Sequence, residues 1–155
     1  RPTVLDDMGL IPAIERYVNA DRNNYSIDID LHVQNKITER LSGEIETTLY
    51  RIVQEALTNI VKYAEADKVS VVFEIRSDVV NLIIEDDGKG FDVEKFFGEG
   101  GKDKHLGLAG IQERTFLLGG DFTIESTPGK GTAVYVRLPI GGSSHEANHD
   151  TVALS

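Results

Sequence analysis

Leu49, Ile52, Val53, Ala56, Leu57 and Ile60 recur at helical spacing downstream of Ser42, and this stripe constrains the fold more than any other feature of the chain. A long helix with one apolar face has to bury that face against a second layer. Ser42 suits the N-cap, and Glu44 and Glu46 suit a first turn whose unpaired N–H groups favour negative charge. The second layer follows in the sequence. Lys68 to Ile75 and Val79 to Ile84 are rich in Val, Ile and Phe, and the short Arg76-Ser77-Asp78 link makes them an antiparallel hairpin. Phe122 to Glu125 and Thr132 to Leu138 form another hairpin around Thr127-Pro128-Gly129-Lys130-Gly131. Met8 to Ala20 has helical period, with Pro12 tolerable near the first turn. Ser26 to Val33 alternates at period two, as a half-buried strand does. Leu106 to Leu118 is again helical and ends at Gly119-Gly120, where a left-handed cap is expected. This order predicts an α+β fold in two layers, a mixed, mostly antiparallel sheet with three helices on one face.

Charge and composition narrow the function classes. The chain has 155 residues, enough for one compact domain with a real core. Its 26 acidic against 16 basic residues, a formal charge of −10, oppose binding to a phosphate backbone, so no nucleic-acid partner is expected. Without cysteine there is no disulfide or thiolate metal site. No apolar run approaches the roughly 20 residues of a membrane span, and Arg1-Pro2-Thr3 resembles neither a signal peptide nor a natural start. The expected organisation is a cytoplasmic fragment with a linker at 1–8, one domain at 9–140, and a disordered tail at 141–155.

Three segments could carry chemistry. On the long helix Glu55, Asn59 and Lys62 stand at i, i+4 and i+7 and share a face. A carboxylate and an amide oxygen suit magnesium, and a lysine suits a phosphate; the plain alternative is a solvated helix face. The strand ending Ile83-Ile84-Glu85-Asp86-Asp87 runs into Gly88-Lys89-Gly90. A carboxylate there can accept from an exocyclic amine, and glycines let a flat ring or a phosphate come close; the alternative is an ordinary acidic turn. Val93 stands where a dinucleotide fingerprint needs its third glycine, and Gly101-Lys102-Asp103 does not complete a P-loop. Lys102 to Ile111 passes from a glycine-rich, basic stretch into a helix start that favours an anion; the alternative is a flexible connector.

In order and wording these segments resemble the ATP-binding domain shared by histidine kinases, gyrase, the Hsp90 chaperones and the MutL proteins. Glu55 to Lys62 resembles that family's N box, Asp86-Asp87-Gly88-Lys89-Gly90-Phe91 its first glycine box, Gly107-Leu108-Ala109-Gly110 its second, and Gly129-Lys130-Gly131-Thr132 its late Gly-Thr step. Leu5-Asp6-Asp7-Met8-Gly9-Leu10 and Ala109-Gly110-Ile111-Gln112-Glu113-Arg114 are similar to the histidine kinases that pair with NarL-type response regulators.

The resemblance implies ATP and Mg2+ as ligands. It makes Asn59 a metal ligand with Glu55 beside the ion, and Asp86 the carboxylate that reads adenine next to Gly88 and Gly90. Lys62, Lys104, His105, Gly107, Leu108 and Gly110 would surround the phosphates, Thr132 would reach the base, and Asp92 to His105 would form a lid. The implied reaction is transfer of the γ-phosphoryl group to a histidine of a separate dimerisation domain, for relay to a response regulator. The fragment would be monomeric and the whole kinase a homodimer. Tyr63 departs from the histidine usual after the lysine of the N box, which puts a phosphate contact there in question. An ATP-hydrolysing relative that uses Glu55 to activate water, and a non-catalytic interaction module of the same fold, are the rival readings.

Overall fold

A computed structural model of the chain describes residues 2–96 and 102–141, with the backbone alone at Phe96 and residues 102–107. The elements are α1 (Thr3–Met8), α2 (Leu10–Tyr25), β1 (Asp28–Asn35), α3 (Gly43–Asn59) continuing into a π-helical turn (Ile60–Ala64), β2 (Lys68–Ile75), β3 (Val79–Asp86), α4 (Val93–Phe96), α5 (Lys102–Leu117), β4 (Asp121–Ser126) and β5 (Thr132–Pro139). The five strands form one sheet in the order β1-β2-β3-β5-β4. Only the β1–β2 pair is parallel; β2–β3, β3–β5 and β4–β5 are antiparallel.

Period-two alternation decides which side of the sheet is covered. Val69, Val71, Phe73 and Ile75 on β2, Val80, Leu82 and Ile84 on β3, and Val134, Val136 and Leu138 on β5 are buried. They join Ala13, Ile14 and Val18 of α2, the α3 stripe, and Leu108 and Ile111 of α5 in one core. Three long helices therefore cover one face, as the sequence pattern predicts. Ser42 caps α3, its Oγ accepting the Ile45 N–H at 3.4 Å. Gly119, at φ 82°, closes α5, and the Gly120 N–H returns to the Thr115 carbonyl at 2.9 Å.

The structure differs from the sequence reading at several boundaries. The helix expected over Met8 to Ala20 is two helices, broken at Gly9 (φ 82°). Pro12 is the third residue of α2, where its missing N–H costs no helical bond. Strand β1 starts at Asp28 because Ser26 takes a left-handed conformation (φ 52°, ψ 36°) that ends α2. Helix α5 starts at Lys102, four residues before the expected Leu106. Residues 97–101, most of the glycine-rich stretch, and the expected tail from 142 onward lie outside the described residues. Among the described residues no helix is long and apolar enough to cross a membrane.

Helix α1 joins the core through Leu5 although it falls in the expected linker. Leu5 is 0% exposed. Arg40 gives its Nε and Nη2 to the two carboxylate oxygens of Glu46 at 3.1 and 3.0 Å, and its Nη2 also donates to the Leu5 carbonyl. Glu46, buried in the first turn of α3, thus meets its charge partner, which at the same time holds the last turn of α1. Leu5→Ala is therefore expected to cost about 2–5 kcal/mol in urea unfolding. A loss below about 0.5 kcal/mol, the size of an ordinary surface substitution, would show that α1 is not part of the core.

Candidate functional site

The site is built where the end of α3 meets the end of β3. The π-helical turn Ile60–Ala64 stops at Glu65, which is left-handed at φ 53°. The Ala64 carbonyl accepts the Lys89 N–H at 2.7 Å. A Cβ on Gly88 would stand 2.3 Å from that carbonyl oxygen, so only glycine lets the helix end and the turn come together. Asp87 secures the same corner: its Oδ1 accepts the Lys68 N–H at 3.0 Å and the Asp67 N–H at 2.9 Å. These bonds hold its carboxyl below the usual range.

The other wall comes from the β3–β5 register, which places Asp86 opposite Thr132. The turn before β5 is pressed against the end of β3. A Cβ on Gly131 (φ 80°) would stand 2.1 Å from the Asp86 carbonyl oxygen, and one on Gly90 (φ 64°) 2.2 Å from the Thr127 carbonyl oxygen. The absent side chains of Gly88, Gly90 and Gly131 thus make room for the protein's own backbone.

Between the walls lies a cavity of about 170 Å³, lined by Ala56, Ile60, Ala64, Ile84, Leu108 and Val134 together with Asn59, Tyr63, Asp86, Lys89, Gly90, Phe91 and Thr132. It is smaller than the roughly 300–1,000 Å³ usual for enclosing a drug-sized ligand. Two polar groups in it carry a cost of burial. The Asn59 Nδ2 is buried with no hydrogen-bond partner. Asp86 is pushed above its ordinary value by burial, although N–H groups of Gly88, at 2.8 Å from Oδ1, and Thr132 favour its charged form.

Of the residues expected at the site, the structure brings Asn59, Asp86, Gly90, Leu108 and Thr132 into one cavity, with Gly88 packed behind Asp86. Glu55 and Gly110 instead line a neighbouring groove between α3 and α5, with Arg51 and Arg114. Lys62 is exposed and lines neither. On α3 each residue advances about 100°, which turns Glu55 away from the cavity that Ala56 and Asn59 line; on the π-helical turn Ile60, Tyr63 and Ala64 line it and Lys62 does not. Lys104, His105 and Gly107 are on the first turns of α5, and their side chains lie outside the described residues. The helix start expected near Leu106 thus lies at Lys102. Lys89, 3.3 Å from Glu65, also lines the cavity and was not anticipated; its place between two glycines was the available signal.

Residues 44–142 match the family described as "Histidine kinase-, DNA gyrase B-, and HSP90-like ATPase". The chain belongs to this family. It is 38% identical over 143 residues to the signal transduction histidine-protein kinase/phosphatase DegS of Bacillus subtilis (strain 168), covering 90% of this chain and 36% of that protein. It is 39% identical over 140 residues to the oxygen sensor histidine kinase NreB of Staphylococcus carnosus (strain TM300), covering 90% of this chain and 39% of that protein. The chain thus spans somewhat over a third of the length of these relatives. Among solved structures, the mycobacterial sensor histidine kinase MprB superposes with a TM-score of 0.60 at 23% identity, over 83% of this chain and 93% of that one. The histidine kinase domain from the Erythrobacter litoralis EL346 blue-light activated histidine kinase gives 0.60 at 21% identity, over 82% and 63%. At those identities the structures speak for the fold, which is that of histidine kinase ATPase domains.

Because the Asp86 carboxyl is raised, its ionisation weakens the fold. Its favourable contribution is complete below about pH 3.8, the unperturbed value, and is lost as pH rises through the raised one. Asp86→Asn has no such charge to bury. Its melting temperature relative to the unsubstituted protein is expected to improve between pH 4 and pH 7. A difference that is flat, or that worsens with pH, would contradict the burial of this carboxylate.

Proposed function

We propose that this domain binds Mg-ATP and serves as the catalytic domain of a two-component sensor histidine kinase. In this reading it transfers the γ-phosphoryl group to a histidine of a dimerisation domain, for relay to an aspartate of a response regulator. The observation that supports this best is the unpartnered amide of Asn59 in the same apolar-walled cavity as the buried Asp86 carboxylate, in a chain whose relatives include two histidine kinases.

The chemistry of the cavity supports the roles of Asp86 and Asn59. Ala56, Ile60, Ile84 and Val134 offer apolar walls to a flat base. Asp86 keeps acceptor capacity for its exocyclic amine, which would relieve the cost of burying the carboxylate. Rotating the Asn59 amide exchanges its ends, so it can present oxygen instead of Nδ2. Among the described residues no cluster of three His, Asp or Glu side chains could hold a metal by itself. A single amide oxygen suits magnesium, which takes its other ligands from water and phosphates and neutralises charge on the transferring group. Asn59 would hold the ion, and Glu55, outside the cavity lining, would act from the neighbouring groove. The start of α5, with Lys104 and His105, would meet the phosphates, as would Lys62 from the exposed side of the helix.

Transfer breaks the bond from phosphorus to the ADP oxygen and forms one to a histidine nitrogen; the domain contributes by positioning. His32 lies on β1, with Asp28 and Asp30 on the face of the sheet away from the helices, so the acceptor is assigned to the dimerisation domain, with residues 1–8 connecting to it. The alone-standing chain is expected to be monomeric and cytoplasmic, and the segments Leu5–Leu10 and Ala109–Arg114 favour a NarL-type regulator as recipient.

Mg-ATP at 100 times its dissociation constant should stabilise the domain by about 2.7 kcal/mol, and Asn59→Ala should remove most of the magnesium-dependent part. Mixed with ATP and a separately produced dimerisation segment, the domain should yield acid-labile phosphohistidine. No stabilisation by Mg-ATP would favour an interaction module. ATP turnover by the domain alone, abolished in Glu55→Gln, would favour an ATPase.

A further inference from the structure

Ser126 does not line the cavity, yet its hydroxyl ties together the groups that do. It closes β4 opposite Thr132, which in turn lies opposite Asp86. Its Oγ accepts the Phe91 N–H at 2.9 Å, stands 3.1 Å from the Gly131 carbonyl oxygen, and stands 2.7 Å from Thr132 Oγ1. The geometry points to Ser126 as a specificity-determining positioning residue, one that fixes the Thr132 hydroxyl as a hydrogen-bond acceptor towards the cavity and so selects a 6-amino purine over a 6-oxo purine.

The argument is a count of protons. The Phe91 N–H can only donate, the Gly131 carbonyl can only accept, and each hydroxyl has one proton. The Gly131 carbonyl is enclosed: a Cβ on Gly90 would stand 2.9 Å from its oxygen. An enclosed carbonyl without a donor is costly, so the single proton of Ser126 goes to Gly131. The 2.7 Å contact then requires Thr132 to donate to Ser126. With its proton held there, Thr132 offers lone pairs to the cavity it lines beside Asp86. Two acceptors side by side suit the two hydrogens of an exocyclic amine, taken directly or through water. A 6-oxo group would face lone pairs with lone pairs. The alternative proton arrangement, Ser126 donating to Thr132, leaves the Gly131 carbonyl without that donor and the Thr132 proton free to meet an oxo group.

This rests on the nucleotide reading above, and ATP and inosine triphosphate separate the two because they differ at the 6-position and the adjoining ring nitrogen. By calorimetry, Ser126→Ala is expected to lower the ATP-over-ITP affinity ratio by about three- to tenfold, since Thr132 regains its rotation. Ser126→Thr, which keeps a hydroxyl, should retain the ratio. Thr132→Val should lower it, and adding Ser126→Ala to Thr132→Val should lower it no further. A merely structural serine would weaken both nucleotides equally, so an unchanged ratio in Ser126→Ala overturns the inference even if the variant is less stable. If the unsubstituted domain binds neither nucleotide, the nucleotide reading fails and this inference with it; if it binds ATP but the ratio does not move, only this inference fails.

Discussion

The hydrogen bond from the Lys89 N–H to the Ala64 carbonyl, 2.7 Å long, holds the end of the long helix against the end of β3, and the rest of the site depends on it. It forms only because Gly88 brings no side chain into the 2.3 Å that separates an ideal Cβ from the Ala64 oxygen. With that corner closed, Asn59 from the helix and Asp86 from the strand share one cavity. The π-helical turn contributes by carrying Tyr63 and Ala64 onto the cavity wall. Wider turns of this kind recur at functional sites, and here the turn ends the helix at the place where the strand has to be met.

The same features carry a cost in stability. A buried amide nitrogen without a partner and a carboxylate raised by burial both weaken the fold. Stability must come from elsewhere: from the continuous core under the sheet, from the Arg40–Glu46 pair that binds α1 to α3, and from Asp87, which ties the start of β2 to the same corner. Neighbouring acidic residues have opposite duties. Asp87 is satisfied by backbone N–H groups and structural; Asp86 faces the cavity.

Much of the architecture was legible because it follows from periodicity. The α3 stripe, its Ser42 cap, the two hairpins and the Gly119 stop are local signals, and each is where the pattern puts it. What was not legible depends on distant partners. Helix α1 has six residues, too few to show a period, and its carbonyl at Leu5 is held by Arg40, thirty-five positions away. The helical period from Met8 does not show that Gly9, at φ 82°, separates two helices. Asn59 and Asp86 were singled out through the family resemblance, since residue type and spacing alone left a solvated helix face and an acidic turn open. Glu55 and Lys62 looked equivalent to Asn59 because i, i+4 and i+7 share a face, but the cavity occupies only one flank of that face. Ser126 was invisible beforehand, since its importance comes from a strand register that sets it between Phe91 and Thr132.

The central claim is that one ligand engages the helix and the strand together. Isotope-labelled protein titrated with Mg-ATP tests this most directly, by following the Asn59 side-chain amide and the backbone N–H groups of Gly88 and Thr132 in nuclear magnetic resonance spectra. The account expects all three signals to move along a single binding curve. A titration that shifts the strand signals and leaves the Asn59 amide untouched, or that shifts only the open face of the sheet, would contradict it.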